Sequence, residues 1–163
     1  MYGARRCNVV WVIVISFFLA FALNILPLPN WIVGLRPQWV LLLLMGWALL
    51  LPECVGIGIA WIVGLALDML SNAYLGEHAL IFTVIVYFLQ RFHNRIVFYS
   101  FLQRTSIVFL LVILAQILQV WLESNLEPKG NHINYWLTIF TTTLFWPWVE
   151  MLLRRWQERL RIS

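Results

Sequence analysis

Four residues with small or acidic side chains recur at four-residue intervals: Gly56, Ala60, Gly64 and Asp68. Residues at this spacing share one face of a helix, and small residues there let a second backbone approach closely. Three interpretations stay open. The face is a packing contact within the chain, or a docking face for another protein's helix with Asp68 as its polar contact, or a proton or substrate site at Asp68.

Two more ionisable residues, Glu77 and His78, follow Asp68 after a short connection. Because two helices joined by a short loop meet at the same end, we predict a polar cluster of Asp68, Glu77 and His78 there. Three such side chains resemble a metal shell, but no ligand spacing enforces one. No nucleophile–base pair, phosphate loop or metal motif accompanies them, so the residues predict no catalysis, no cofactor and no metal.

Other polar residues lie inside apolar stretches. Gln116, Gln119 and Glu123 form one helical stripe, and the threonines 141–143 lie in the last apolar segment. Such side chains usually hydrogen-bond neighbouring helices within a membrane. Glu150 precedes Arg154 by four residues, which is a favourable helical ion pair.

The elements that must position these residues follow from composition. Of 163 residues, 63% are hydrophobic and 11% charged, and mean hydropathy is +0.85. Soluble domains carry about twice that share of charge, and disordered chains have few aromatic residues. The class predicted is all-α: a single polytopic membrane domain over residues 1–163, in which each helix satisfies its own backbone. The predicted spans are 9–26, 38–51, 55–71, 74–90, 106–122 and 135–153.

The second span, 38–51, is short and lies between Pro37 and Pro52, so a re-entrant segment is an alternative to a full crossing. With six crossings, nine of the eleven basic residues fall on one side. Basic residues favour the cytoplasmic side, so both termini are predicted there. The first apolar run is longer than a signal-peptide core, which favours an uncleaved anchor.

The final segment, 154–163, is predicted to be a basic cytoplasmic tail that lies on the anionic inner leaflet, with a docking site for a cytoplasmic partner as the alternative. Its arginines are Arg154, Arg155, Arg159 and Arg161. Basic residues elsewhere sit at the ends of apolar segments and form no patch with exposed aromatics. The sequence therefore predicts no nucleic-acid binding.

Several motifs resemble the family of rod shape-determining MreD proteins over essentially the whole chain. They are Arg36-Pro37-Gln38-Trp39, then Leu75-Gly76, and finally Trp146-Pro147-Trp148 before the basic tail. One departure is Asn72, where the family pattern has glycine. Asparagine tolerates positive φ better than most residues, so we expect the loop to keep its shape.

The resemblance implies a non-enzymatic scaffold in the bacterial inner membrane that maintains rod shape during lateral peptidoglycan synthesis. It implies MreC as the main partner, within a wider complex of MreB, RodZ and the elongation polymerase and transpeptidase. It also implies a helical arrangement similar to the substrate-binding subunits of energy-coupling-factor transporters. On that likeness of fold, the alternative function is a membrane subunit of a transport system that binds a small molecule or lipid precursor.

Overall fold

A computed structural model of the protein describes residues 2–25, 37–72, 74–96, 98–126 and 133–162. Within those ranges the chain is all-helical and contains no β-strand. The elements are α1 (Tyr2–Ile25), α2 (Trp39–Leu50), α3 (Ile57–Ser71), α4 (Glu77–Ile96), α5 (Phe101–Leu126) and α6 (Ile133–Ile162). The all-helical class predicted from the sequence is confirmed.

Helix α2 forms the centre of the fold. Its sequence is apolar on every side, which is typical of a fully buried helix. Eight of its residues are buried, and it packs on α1, α4 and α6. Around it, contacts run from α1 to α3, α3 to α4, α4 to α5, α5 to α6 and α6 back to α1. The other five helices therefore form a ring around α2.

Two contacts hold α2 inside the ring. The indole Nε1 of Trp47, a fully buried residue, donates a hydrogen bond to Ser16 Oγ of α1 at 2.9 Å. This bond supplies the partner that a buried indole N–H requires. On another side, the Leu153 side chain of α6 fills the space where a Cβ of Gly46 would lie. A Cβ at position 46 would therefore require the end of the Leu153 side chain to move.

The connection between α3 and α4 reverses the chain within a few residues. Asn72 ends α3 in the left-handed region with φ 52°, and its N–H donates to the carbonyl of Asp68. Asn72 therefore adopts the positive φ that the family's glycine would suit. Gly76 also has a positive φ of 100° immediately before α4 begins. The two helices consequently lie side by side as a tight hairpin.

The described helices differ in length from the predicted spans. Residues 74–76 belong to the turn before α4, which then runs on to Ile96 and includes Arg91 and Arg95. Helix α5 begins at Phe101 and ends at Leu126, beyond both ends of span 106–122. Helix α6 runs to Ile162. The segment predicted as a basic tail is therefore helical as far as Ile162.

One described helix is long and apolar enough to cross a membrane on length and composition: Phe101–Asn125 within α5, which contains an 18-residue window with a mean hydropathy of 2.2. Shorter apolar stretches cover Val10–Ile25, Trp39–Leu50 and Ile57–Ser71. At 1.5 Å per residue, α2 is about 18 Å long. It is therefore shorter than the roughly 30 Å hydrocarbon core of a bilayer.

Candidate functional site

The small-residue face of α3 lies against α4 of the same chain. A Cβ on Gly64 would contact Cα of Ala79 and would lie 2.5 Å from the Ala79 backbone nitrogen. Ala60 is fully buried, and a Cβ on Gly56 would lie 3.7 Å from Nε2 of Gln90. At Gly64 the two backbones are so close that no third helix fits between them. This face is therefore a contact within the chain.

Asp68 binds the beginning of α4. One carboxylate oxygen, Oδ2, accepts a hydrogen bond from the backbone N–H of Gly76 at 2.8 Å. The other, Oδ1, accepts from the backbone N–H of His78 at 2.9 Å and lies 2.8 Å from Nδ1 of the same residue. Amide groups at a helix start have no partner within the helix. Asp68 therefore caps α4 from the last turn of α3, and it is itself almost fully buried.

Glu77 lies beside this cap in the first turn of α4 and is buried. Its carboxylate oxygen Oε1 has no hydrogen-bond partner among the described residues. An acidic group at this position interacts favourably with the positive end of the helix dipole. Asp68 is therefore bonded directly to His78. Glu77 is next to His78 in the chain but takes no part in these hydrogen bonds.

A chain of polar groups joins α2, α5 and α6. The backbone N–H of Gln38 donates to Thr142 Oγ1 at 3.2 Å, and its side-chain Nε2 donates to Gln119 Oε1 at 3.3 Å. Gln119 Nε2 then donates to Glu123 Oε1 at 3.2 Å. Gln119 of the α5 stripe and Thr142 of α6 therefore bind the residue just before α2 and fix the position of that helix end. Gln116 Oε1 and the Thr143 hydroxyl have no hydrogen-bond partner among the described residues.

Glu150 of α6 forms a second buried charge centre. Its Oε1 accepts hydrogen bonds from Arg154 at 2.8 and 3.1 Å and from Nη1 of Arg104 at 3.2 Å. The pairing with Arg154 follows the four-residue spacing, whereas Arg104 comes from the beginning of α5. One carboxylate thus binds two guanidinium groups and joins the beginning of α5 to the middle of α6.

The family motifs occupy different environments. Trp39 packs edge-on against Phe145 with ring centres 5.1 Å apart, and Trp146 is fully buried whereas Trp148 is 74% exposed. Pro147 lies inside α6, where it has no N–H to donate to the preceding turn. Leu75 is largely exposed in the turn before α4.

Arginines predicted to be functional are described only in part. Arg36 lies outside the described residues, as do the side chains of Arg159 and Arg161. Arg154 is bound to Glu150, and Arg155 is exposed on α6. Of the four tail arginines, two therefore have described surroundings. Of these two, Arg154 forms an ion pair within the fold and Arg155 is exposed.

Two concave regions lie toward the α3–α4 turn and the α5–α6 connection. A cavity of about 150 Å³ is lined by His78 and Phe82 of α4 and by Pro37 and Gln38 just before α2. A groove of about 490 Å³ runs between α5 and α6, with Ile117, Val120, Trp121, Trp136 and Ile139 in its walls. The groove is the more apolar of the two, and none of the described residues that line it is ionisable.

Sequence reasoning missed three groups that these contacts use. The sequence places Arg104 between two predicted spans, gives Gln38 only as part of a motif, and carries no signal at Ser16. A signal exists for Arg104: it lies just before the predicted span 106–122 and Glu150 lies near the end of the predicted span 135–153, and neighbouring antiparallel helices bring such ends together. Ser16 and Trp47 carry no comparable signal, because their contact depends on how α1 is rotated against α2.

Taken together, the fold and its polar sites define a six-helix bundle whose buried charges hold its own helices together. Residues 5–156 match the family described as the rod shape-determining protein MreD. A curated relative, the rod shape-determining protein MreD of Haemophilus influenzae, is 30% identical over 153 residues, covering 93% of this chain and 94% of the relative. The chain belongs to the MreD family.

No solved structure matches the chain significantly. The likeness to substrate-binding subunits of energy-coupling-factor transporters therefore stays a prediction.

Proposed function

We propose that this chain is a multi-pass, non-enzymatic scaffold of the bacterial inner membrane that binds MreC and maintains rod shape during lateral wall synthesis. Both termini lie in the cytoplasm in this proposal. The wider assembly contains MreB, RodZ and the elongation polymerase and transpeptidase. Membership of the MreD family supports the role in rod shape, and the surface of the bundle supports the location.

The observation that carries the proposal is the apolar exterior. All five helices around α2 expose large apolar side chains. Examples are Phe18, Ile62, Tyr87, Leu110 and Leu144. Contiguous apolar surface of this extent marks contact with lipid or with other proteins. Backbone groups within helices need no water as partner, so such a bundle suits a bilayer.

The buried ionisable groups support a scaffold rather than an enzyme. Asp68 binds the start of α4, and Glu150 is bound by two arginines. Both acids are therefore engaged in joining helices. General acid–base catalysis requires a group within reach of a bound substrate, and neither carboxylate is exposed enough to offer that.

The groove between α5 and α6 is the surface we propose for the membrane-spanning helix of MreC. None of the described residues that line the groove is charged, so an apolar helix can lie there without burying an unpaired charge. Trp121 and Trp136 are both more than 60% exposed at its edges, and large flat side chains of this kind are frequent anchors in interfaces. The Gly64 face of α3 is unsuitable because α4 covers it.

Co-purification with MreC tests this function. Ile117→Trp places bulk in the groove, and Leu144→Trp adds the same side chain at an exposed position of α6 outside the groove lining. We expect Ile117→Trp to lower the MreC recovered from detergent-solubilised membranes and to round the cells, while Leu144→Trp changes neither. Normal MreC recovery and rod shape with Ile117→Trp at normal abundance would remove the groove from the proposal. Absence of MreC from wild-type preparations would contradict the proposal that MreC is the partner.

The alternative, a small-molecule-binding subunit of a transport system, is supported less well. The cavity lined by His78 measures about 150 Å³, whereas pockets for drug-sized ligands measure about 300–1,000 Å³. Mass spectrometry of the purified chain tests it directly. A stoichiometric bound solute would favour the alternative over the scaffold.

A further inference from the structure

A second groove runs along the outside of the bundle between α4 and α5, at the end opposite the Asp68 cap. It has a volume of about 380 Å³. Phe88 and Phe92 of α4 form one wall, and Ile107 and Leu110 of α5 form the other. All four side chains are at least partly exposed. The groove is therefore an open apolar trough, and only one of its ends is polar.

Arg95 and Tyr99 form that polar end. Arg95 is exposed on the last turn of α4 and makes no ion pair within the described residues. The nearest buried acid on this side of the bundle, Glu150, is already bound by Arg104 and Arg154. A positive charge thus lies unneutralised where the apolar trough ends.

We propose that this groove binds an anionic phospholipid, with one acyl chain along the trough and the headgroup phosphate on Arg95. The proposal rests on the membrane location given under the proposed function. Arginine binds phosphate through two parallel N–H groups, and basic pockets between helices on the cytoplasmic side are a known mode of binding lipid headgroups.

Charge separates this groove from the one between α5 and α6. An apolar helix lying here would bury Arg95 without a counter-charge, which is unfavourable. A phosphate supplies that charge, and methylene groups fill the trough favourably. None of the described residues that line the α5–α6 groove is ionisable, so they give no preference for an anionic ligand.

Native mass spectrometry of the full chain in detergent tests the proposal, with dioleoylphosphatidylglycerol and dioleoylphosphatidylcholine as probes. These lipids share acyl chains and differ in net charge. We expect the wild-type chain to prefer phosphatidylglycerol. We expect Arg95→Gln to weaken that binding about fivefold, the value for one basic side chain near a membrane surface. Leu110→Trp, which fills the trough, should weaken the binding of both lipids.

Two variants serve as matched controls. Arg91→Gln removes the same charge from an exposed position on α4 that does not line the trough, and Leu144→Trp adds the same bulk away from the trough. We expect both to bind phosphatidylglycerol as the wild type does. Equal binding of the two lipids, unchanged binding by Arg95→Gln, or an equal loss with Arg91→Gln would each overturn the proposal.

The same preparations keep this proposal separate from the proposed function. A wild-type chain that is absent from the membrane pellet removes both. A wild-type chain that is recovered in membranes with MreC, but whose Arg95→Gln variant binds phosphatidylglycerol unchanged, removes the lipid site alone.

Discussion

Asp68 and His78 are joined twice: the Asp68 Oδ1 oxygen lies 2.9 Å from the His78 backbone nitrogen and 2.8 Å from its ring Nδ1. Together with the bond from Gly76, this contact fixes the start of α4 onto the end of α3. The polar cluster expected from the sequence therefore contains a helix cap that acts across a turn.

Asp68→Asn should destabilise the bundle. The amide keeps one acceptor oxygen but turns an NH₂ group toward a backbone N–H, and the backbone group then loses its buried partner. We expect a loss of about 2 kcal/mol in the free energy of unfolding, measured by detergent unfolding of the purified chain. Glu53→Gln, at an exposed residue of the α2–α3 connection, should change it by less than about 0.5 kcal/mol. Equal stability of both variants would contradict the capping role.

Gly64→Ala tests the close approach of α3 and α4. The added Cβ would meet the Ala79 backbone, which cannot rotate away as a side chain can. We expect a loss of about 1–3 kcal/mol. Gly58, on the same helix, has open space around its Cβ position. Gly58→Ala should therefore leave the chain as stable or raise its stability by up to about 1 kcal/mol. A neutral Gly64→Ala would show that the hairpin is looser than described.

Glu150→Gln tests the charge centre between α5 and α6. Removing the carboxylate leaves Arg104 and Arg154 facing each other without a counter-charge. Since both arginines are partly exposed, we expect a loss of about 2 kcal/mol, between the values for exposed and buried pairs. Glu158→Gln removes an exposed acid from the same helix and should have little effect. Thermal unfolding of the two variants side by side provides the measurement.

The topology is tested with reporters fused after Pro52 and after Ser163. The distribution of basic residues predicts that both positions lie in the cytoplasm. We expect both fusions to fluoresce as green fluorescent protein and to be inactive as alkaline phosphatase. An active phosphatase at the C-terminus would reverse the orientation. An active phosphatase after Pro52 alone would show that the segment containing α2 ends on the other side.

The sequence predicts the number and order of the helices well, because apolar runs separated by proline, glycine or charge leave few alternatives. Helix ends are predicted less well. The charges of Arg91 and Arg95 predict the end of the fourth span at residue 90, yet arginine is a good helix former and α4 continues through both. The uniform apolarity of α2 predicts a buried helix, but the sequence does not identify the helices that pack around it.

The candidate site is predictable where chain connectivity brings residues together. Asp68 and His78 are separated by one tight turn, so their contact follows from a helical hairpin. Arg104 and Glu150 are 46 residues apart, and their contact depends on which helices are neighbours. The Gly64 face shows the same limit. Four-residue spacing of small residues predicts a close helix contact but does not identify the partner helix, which in the structure is α4.

The most direct test of the central claim is site-specific photocrosslinking in cells. A benzoylphenylalanine replaces either Trp121, at the edge of the α5–α6 groove, or Trp148, an exposed tryptophan of α6 outside the groove lining. We expect irradiation to join position 121 to MreC and to leave position 148 without that adduct. Equal adducts at both positions, or no MreC adduct at position 121 in a chain of normal abundance, would contradict the proposed scaffold and its docking surface.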